Sequence, residues 1–268
     1  MALLQKIKKH FTTKLPYTME REYKRNLSYA KKIQMSLIPK SFPQTDQYEF
    51  SGYYSPTETM GGDIFDIKVL DDQYIAFYVA DVAGHGIAAA MLTVFVKQSI
   101  EMTSTVFRRK IINSPKQVIE NLNKKLIETN FEGNPQVTIF YCVFDINSLT
   151  LTYSSAGHHS SIVIRNNEKN LIYLGKHSLP AGWFENINLY ENTFKLKHKD
   201  KLLLFTDGIF EATGIKDYDG AFKKFTQVII NNRELPIKKL LSKIVGIQKK
   251  VDNYIQQDDI AILGLEIK

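Results

Sequence analysis

Four acidic clusters lie at the edges of apolar runs in this 268-residue chain: Gly61-Gly62-Asp63, Asp81-Val82-Ala83-Gly84-His85-Gly86, Thr206-Asp207-Gly208 and Gln257-Asp258-Asp259. Asp81 ends the apolar run Ile75–Ala80, Asp207 follows Leu202–Phe205, and Asp258 precedes Ile260–Leu265. A buried strand would hold each carboxylate rigidly, while a neighbouring glycine lets the backbone turn sharply beside it. One Asp-Gly pair alone signals a turn. Four acidic clusters, each at an apolar edge, point instead to one shared site. Carboxylates brought together disfavour each other's ionised form unless cations neutralise them. Hard divalent ions with oxygen ligands, Mg²⁺ or Mn²⁺, are the natural partners.

The elements that must position these groups are legible from periodicity. Phe50–Tyr54, Ile64–Leu70 and Tyr74–Asp81 read as strands, with Asp71-Asp72 turning the second into the third. Ala88–Val106 reads as one helix, apolar almost all round and therefore buried. Pro115–Thr129 reads as an amphipathic helix with Ser114 as N-cap and proline at its first position. Strands resume at Gln136–Asp145 and Leu151–Ser155 around Asn147-Ser148, then at Ile162–Arg165 and Leu171–Leu174 around Asn166-Asn167. Leu202–Phe205 is a short buried strand, two helical stretches fill roughly 219–250, and Ile260–Ile267 closes the chain. This order predicts an α+β fold of sheets packed face to face with helices outside.

Charge divides the chain. Residues 1–40 carry ten basic and two acidic side chains, so the net charge of +7 belongs to this leader and the rest is nearly neutral. A nucleic-acid partner therefore has no support in the body of the chain, and none is expected. Within the leader, Leu3, Leu4, Ile7, Phe11 and Leu15 share one helical face between lysines, and Pro16 stops the pattern. Residues 1–15 are thus a basic amphipathic segment suited to weak membrane contact or to docking on protein. From Thr18, the positions Tyr23, Leu27, Ala30, Ile33 and Leu37 form a second stripe, ended by Pro39 and able to pair with another helix. Cys142 is the only cysteine, which excludes an intramolecular disulfide and a cysteine-built zinc site. No apolar run approaches the roughly 20 residues of a membrane helix, and Lys6, Lys8 and Lys9 interrupt any signal-peptide core. A cytoplasmic location is expected.

Five motifs in order carry a family resemblance: Gly61-Gly62-Asp63-Ile64-Phe65-Asp66, Asp81 through Met91, Ser155-Ala156-Gly157-His158, Phe205 through Ala212, and Asp258-Asp259-Ile260. Together with Ala30 through Pro39 ahead of them, they resemble metal-dependent serine/threonine phosphatases of the phosphatase 2C-like superfamily, in the bacterial sporulation-protein-E and RsbU branch. The resemblance, over roughly residues 20–268, implies a four-layer α/β/β/α sandwich of two mainly antiparallel sheets. The phosphatase domain is expected over residues 41–268, with residues 1–40 as a basic helical leader that regulates or dimerises. It implies a water activated at a centre of two Mg²⁺ or Mn²⁺ ions. Carried over by position, Asp81 matches the bridging aspartate and Val82 a backbone-carbonyl ligand of the second ion. Asp207 and Asp258 match ligands of the first ion, and Asp63 a carboxylate acting through bound water. The arginine that grips phosphate in the eukaryotic branch is absent; Pro56-Thr57-Glu58-Thr59-Met60 stands there. Ala83 occupies the place of that branch's candidate general acid, which leaves His85 as a proton-donor candidate against a simpler role at the start of a helix. His158, His159, Trp183 and Cys142 read as structural.

The expected activity is therefore hydrolysis of phosphoserine or phosphothreonine in a protein. By resemblance the partner is a phosphorylated anti-sigma-factor antagonist or similar protein of a partner-switching pathway. The apolar stripe of the helix over residues 18–38 is expected to pair with a second copy or to pack beside the Ala88–Val106 helix. The competing expectation is a catalytically weak phosphatase-fold module that binds a phosphoprotein. The intact set Asp63, Asp81, Asp207 and Asp258 argues against it.

Overall fold

The structure, a computed structural model, describes residues 17–106, 109–159, 161–165, 170–215, 217–247 and 256–268. One sheet contains β1 (Tyr48–Ser55), β12 (Ile260–Ile267), β11 (Lys201–Phe205), β8 (Ser161–Ile164) and β9 (Leu171–Leu174), in that order. The other contains β10 (Asn192–Lys195), β7 (Thr150–Ala156), β6 (Val137–Asp145), β3 (Tyr74–Val82) and β2 (Asp63–Val69). Every pairing within the two sheets is antiparallel.

The sheets pack face to face through large apolar side chains. Phe50 of β1 meets Phe77 of β3 edge to face at 5.1 Å between ring centroids, and Tyr48 meets Phe144 of β6 at 6.3 Å. Such aromatic pairs add about 0.5–1.5 kcal/mol each beyond the area they bury. Helices cover both outer faces. The helices α2 (Gly86–Ser99) and α3 (Pro115–Thr129) lie on the sheet of β3 and β6, while α6 (Ile237–Val245) lies on β1 and β12. Outside β8 and β11 a second apolar cluster joins Ile162, Leu203 and Phe205 to Ile209 of the short α4 (Gly208–Glu211), to Phe225 of α5 (Tyr218–Asn231) and to Leu240 and Ile244 of α6. The result is the expected helix, sheet, sheet, helix layering.

Local chemistry explains the element ends. Ser114 and Gln117 form a reciprocal capping box at the start of α3. Asp71 Oδ1 accepts from the N–H groups of Gln73 and Tyr74, closing the β2–β3 turn, and Asp145 Oδ1 does the same with Asn147 and Ser148 after β6. The Asn166-Asn167 turn falls outside the described residues.

Two expectations need correction. The helix expected over Ala88–Val106 is α2 at Gly86–Ser99, and Thr103–Val106 is instead a strand, β4, paired with β5 (Arg109–Ile112). Ile100 turns extended at ψ 104°, and the β-branched Thr103, Thr105 and Val106 favour a strand once the helix stops. Nor is α2 buried all round: Ala89, Ala90, Thr93 and Val96 face inward, while Met91 is 70% exposed. Strand β10 was not foreseen, because four half-exposed residues carry almost no pattern.

The second leader pattern is helix α1 (Tyr17–Leu37). Its last turns dock on the body through buried Gln34, whereas Met19, Tyr23, Tyr29 and Ile33 are exposed. The first pattern, over residues 1–15, lies outside the described residues. Among the described residues no helix is long and apolar enough to cross a membrane.

Candidate metal centre

Each sheet delivers two of the four aspartates to the same end of the sandwich. Asp63 opens β2 and lies opposite Asp81 of β3 in the strand register. Asp207 follows β11 and Asp258 precedes β12, strands that pair with each other in the opposing sheet. Short loops carry the remaining geometry. Gly62 packs so tightly on the backbone carbonyls of Val82 and Gly84 that a side chain would collide with them, and the Val82 N–H donates to its carbonyl at 3.1 Å.

The two sheets are tied at this end by side-chain hydrogen bonds. The Thr206 hydroxyl donates to Asp63 Oδ2 at 2.6 Å and accepts from the Ala261 N–H at 2.9 Å. Asp259 points away from its neighbour Asp258: its carboxylate accepts from the N–H groups of Thr57 at 2.7 Å and Gly62 at 2.6 Å. Asp259 also occupies the places where Gly61 and Gly208 would carry a Cβ. The Asp259 N–H donates to Asp258 Oδ1 at 2.7 Å. The adjacent pair therefore divides the work, with Asp259 bracing loops and Asp258 facing the other carboxylates.

Electrostatics register how close these groups are. Burial and then the Asp81 charge push Asp63 well above the usual carboxylate range. Burial, followed by Asp207 and Asp258, raises Asp81 to about 7. Burial also raises Asp258, and Asp207 adds to the effect. Three carboxyls raised together form a site that favours protons or a cation over bare charge. Among the described residues no three His, Cys, Asp or Glu side chains close a ready-made cage, and octahedral Mg²⁺, which keeps several waters, does not require one.

The remaining predicted residues fall in distinct places. His85 precedes α2 without capping it, is largely exposed, and pairs through Nδ1 with Glu58 at 3.0 Å. It stands at the start of the helix, as the simpler reading of it expects, but its side chain makes no cap hydrogen bond. His158 is buried, with both ring nitrogens engaged by Thr138 and by the Phe205 carbonyl. His159 stacks on Phe205 with ring centroids 4.6 Å apart. Trp183 is half exposed beside Phe184. The Cys142 thiol is buried and pushed up by that burial. A cavity of about 220 Å³ joins Asp81 and Asp207 to Thr138, His158, Thr206 and Tyr218.

Sequence reasoning missed Gln34, Thr206 and Asp259. Gln34 donates from Nε2 to the Gly61 carbonyl at 2.6 Å and accepts the Gly61 N–H at 3.1 Å. Nothing in a helical stripe announces a polar side chain that serves a loop 27 residues away.

The sequence profile of Stage II sporulation protein E (SpoIIE) matches residues 71–268, which include β3, β11, β12 and three of the four aspartates. The chain belongs to the SpoIIE family. This SpoIIE-family chain is 25% identical over 251 residues to the phosphoserine phosphatase RsbP of Bacillus subtilis (strain 168), covering 91% of its own length and 58% of RsbP. Its fold is shared with the SiaA-PP2C domain of Pseudomonas aeruginosa, with TM-score 0.78 and 16% identity over 95% of this chain and 100% of that one. RsbX, in a structure described as a complex with magnesium, has the same fold at TM-score 0.60 and 16% identity, over 85% of this chain and 99% of that one.

Proposed function

We propose that this SpoIIE-family chain is a metal-dependent phosphoserine/phosphothreonine protein phosphatase. The observation that carries the reading is the delivery of two aspartates from each sheet to one end of the sandwich, where Asp63, Asp81 and Asp258 all resist ionisation. A divalent cation fits this donor set, because it would stabilise the ionised carboxylates that burial and mutual repulsion disfavour. Asp81, Asp207, Asp258, the Val82 carbonyl and, through water, Asp63 would hold two Mg²⁺ or Mn²⁺ ions. Bound there, such ions activate water for attack on phosphorus and neutralise phosphoryl oxygens.

The chain's own residues supply position. Thr206 fixes the rotamer of Asp63, and Asp259 anchors the Thr57 and Gly62 backbones beside it. Cys142, buried with a raised thiol, is unsuited to act as nucleophile. His85, paired with Glu58, is the proton-donor candidate for the leaving oxygen. The name of RsbP as a phosphoserine phosphatase supports this reaction class, and the family resemblance supports an anti-sigma-factor antagonist as substrate. Hydrolysis of p-nitrophenyl phosphate and of a phosphoserine peptide with Mn²⁺, compared with EDTA, tests the reading. Metal-dependent release is expected; its absence at every metal concentration overturns the assignment.

The same proposal divides the chain into a leader, residues 1–40, and a catalytic body, residues 41–268, in the cytoplasm. Exposed Met19, Tyr23 and Ile33 on α1 support pairing with a second copy, and the basic residues 1–15 support weak docking to a membrane or protein. Sedimentation of the full chain, compared with Ile33→Glu, tests the pairing, and vesicles of anionic lipid test the docking.

A further inference from the structure

The chain passes from one sheet to the other between Ala156, the last residue of β7, and Ser161, the first of β8. His158 stands in that passage and is 8% exposed. Its Nε2 lies 3.0 Å from the Phe205 carbonyl, and its Nδ1 lies 3.1 Å from the Thr138 hydroxyl. A carbonyl can only accept, so Nε2 carries the proton, and in a neutral imidazole Nδ1 then accepts from Thr138. Burial, followed by the neighbouring His159, lowers the imidazole's affinity for a second proton.

The two partners belong to opposite sheets and to the aspartate-bearing strands. Thr138 on β6 is the cross-strand partner of Asp81. Phe205 ends β11, two residues before Asp207. We propose that His158 is a positioning residue whose imidazole, bridging Thr138 to the Phe205 carbonyl, sets the separation of Asp81 and Asp207 and thereby the metal affinity of the centre. The inference rests on the metal-dependent reading above.

Apolar packing between sheets is non-directional and tolerates small slides. Metal ligands have to be placed within about 0.5 Å. A directional bridge of two hydrogen bonds supplies what packing lacks. The imidazole itself is clamped: Gly157 adopts φ +62° with Pro180 where a Cβ would lie, and its N–H donates to Ser178 Oγ, which donates in turn to the Ser155 carbonyl. Thr206, next to Phe205, makes the Asp63 contact, so the bridge also braces the strand end that holds the third carboxylate.

The test is Mn²⁺ binding to the metal-free full chain by calorimetry, alongside kcat and KM for p-nitrophenyl phosphate at saturating Mn²⁺. Thr138→Val keeps the shape and removes the hydroxyl, and Thr138→Ser restores a hydroxyl. We expect Thr138→Val to weaken Mn²⁺ binding about tenfold, with KM little changed, and Thr138→Ser to recover most of the loss. His158→Leu should weaken binding at least as much, and the double variant His158→Leu/Thr138→Val no further than His158→Leu alone. If His158→Leu does not fold, the two Thr138 variants decide. Mn²⁺ affinity in Thr138→Val equal to the unaltered chain, or a loss that serine fails to recover, overturns the proposal. An unaltered chain that binds no Mn²⁺ overturns the metal centre itself, which is a separate outcome.

Discussion

Gln34 and Gly61 meet as two amides paired edge to edge, so that the last turns of α1 satisfy both backbone groups of the residue two before Asp63. Gln34 Nε2 also reaches Thr93 Oγ1 of α2 at 3.1 Å. Nearby, Lys97 of α2 donates to the Leu37 carbonyl at the end of α1 at 2.6 Å and pairs with Asp66 of β2 at 2.8 Å. The N-terminal helix, α2 and the strand that begins with Asp63 are therefore one hydrogen-bonded unit. A change in the seating of α1 has a direct route to the carboxylates.

Gln34→Ala should strand the Gly61 N–H and carbonyl in a buried place, at a cost of about 1–3 kcal/mol. A fall of several degrees in Tm is expected, together with at least a tenfold fall in Mn²⁺-dependent turnover. Differential scanning fluorimetry and p-nitrophenyl phosphate hydrolysis check the two effects. Lower Tm with undiminished turnover would confine Gln34 to stability.

Asp81→Asn removes a carboxylate that burial and its neighbours disfavour. Turnover should drop by more than 100-fold, yet in EDTA at pH 8 the variant should melt higher than the unaltered chain. Mn²⁺ should no longer raise its Tm. Asp207→Asn should lose turnover to a similar extent, and near-normal activity in either variant refutes the assignment.

The pH dependence has a definite sign. Asp81, at about 7 in the folded chain, sits above its unfolded value of about 3.9, and Asp63 shifts in the same direction. Their contribution to stability is complete below pH 4 and is lost as pH rises through about 7. His158 shifts downward, so its contribution is instead lost as pH falls below about 6.5. Between pH 6.5 and 8.5 the metal-free chain should lose stability, and the Tm increment from Mn²⁺ should grow because fewer protons compete. Thermal melts with EDTA and with Mn²⁺ at the two pH values measure this; an increment that shrinks with pH contradicts it.

Asp259→Ala should behave as a structural lesion with a catalytic consequence. It leaves the Thr57 and Gly62 N–H groups without their acceptor and opens space against Gly61. A loss of about 2–4 kcal/mol is expected in urea unfolding, with turnover reduced even under conditions where the variant is folded. Unfolding at an unchanged urea midpoint would rule out the bracing role.

The carboxylates of the site were legible because each stands at the end of a run such as Ile75–Ala80 or Leu202–Phe205, where apolar continuity betrays a strand buried on both faces. The layering followed from the order of those runs. What stayed hidden was long-range or weakly patterned. The apolar residues Ile100 and Met102 carried the helical pattern of α2 into a hairpin, and β10, four residues with Phe194 as its one apolar side chain, was too short for its alternation to show. Thr206, Asp259, Gln34 and His158 gain their roles from partners 20 to 202 positions away. Only the folded chain brings such partners together.

Helix α1 has 21 residues, and among the described residues its hydrogen bonds to the body come from Gln34 and Leu37 in the last turns. At 1.5 Å per residue, Met19 stands about 22 Å along the axis from Gln34. Mechanically this is a lever whose long arm is in solvent and whose short arm ends on Gly61. A partner that takes hold of the free end would pull, through the helix, on the Gln34–Gly61 pair and so on the loop before Asp63.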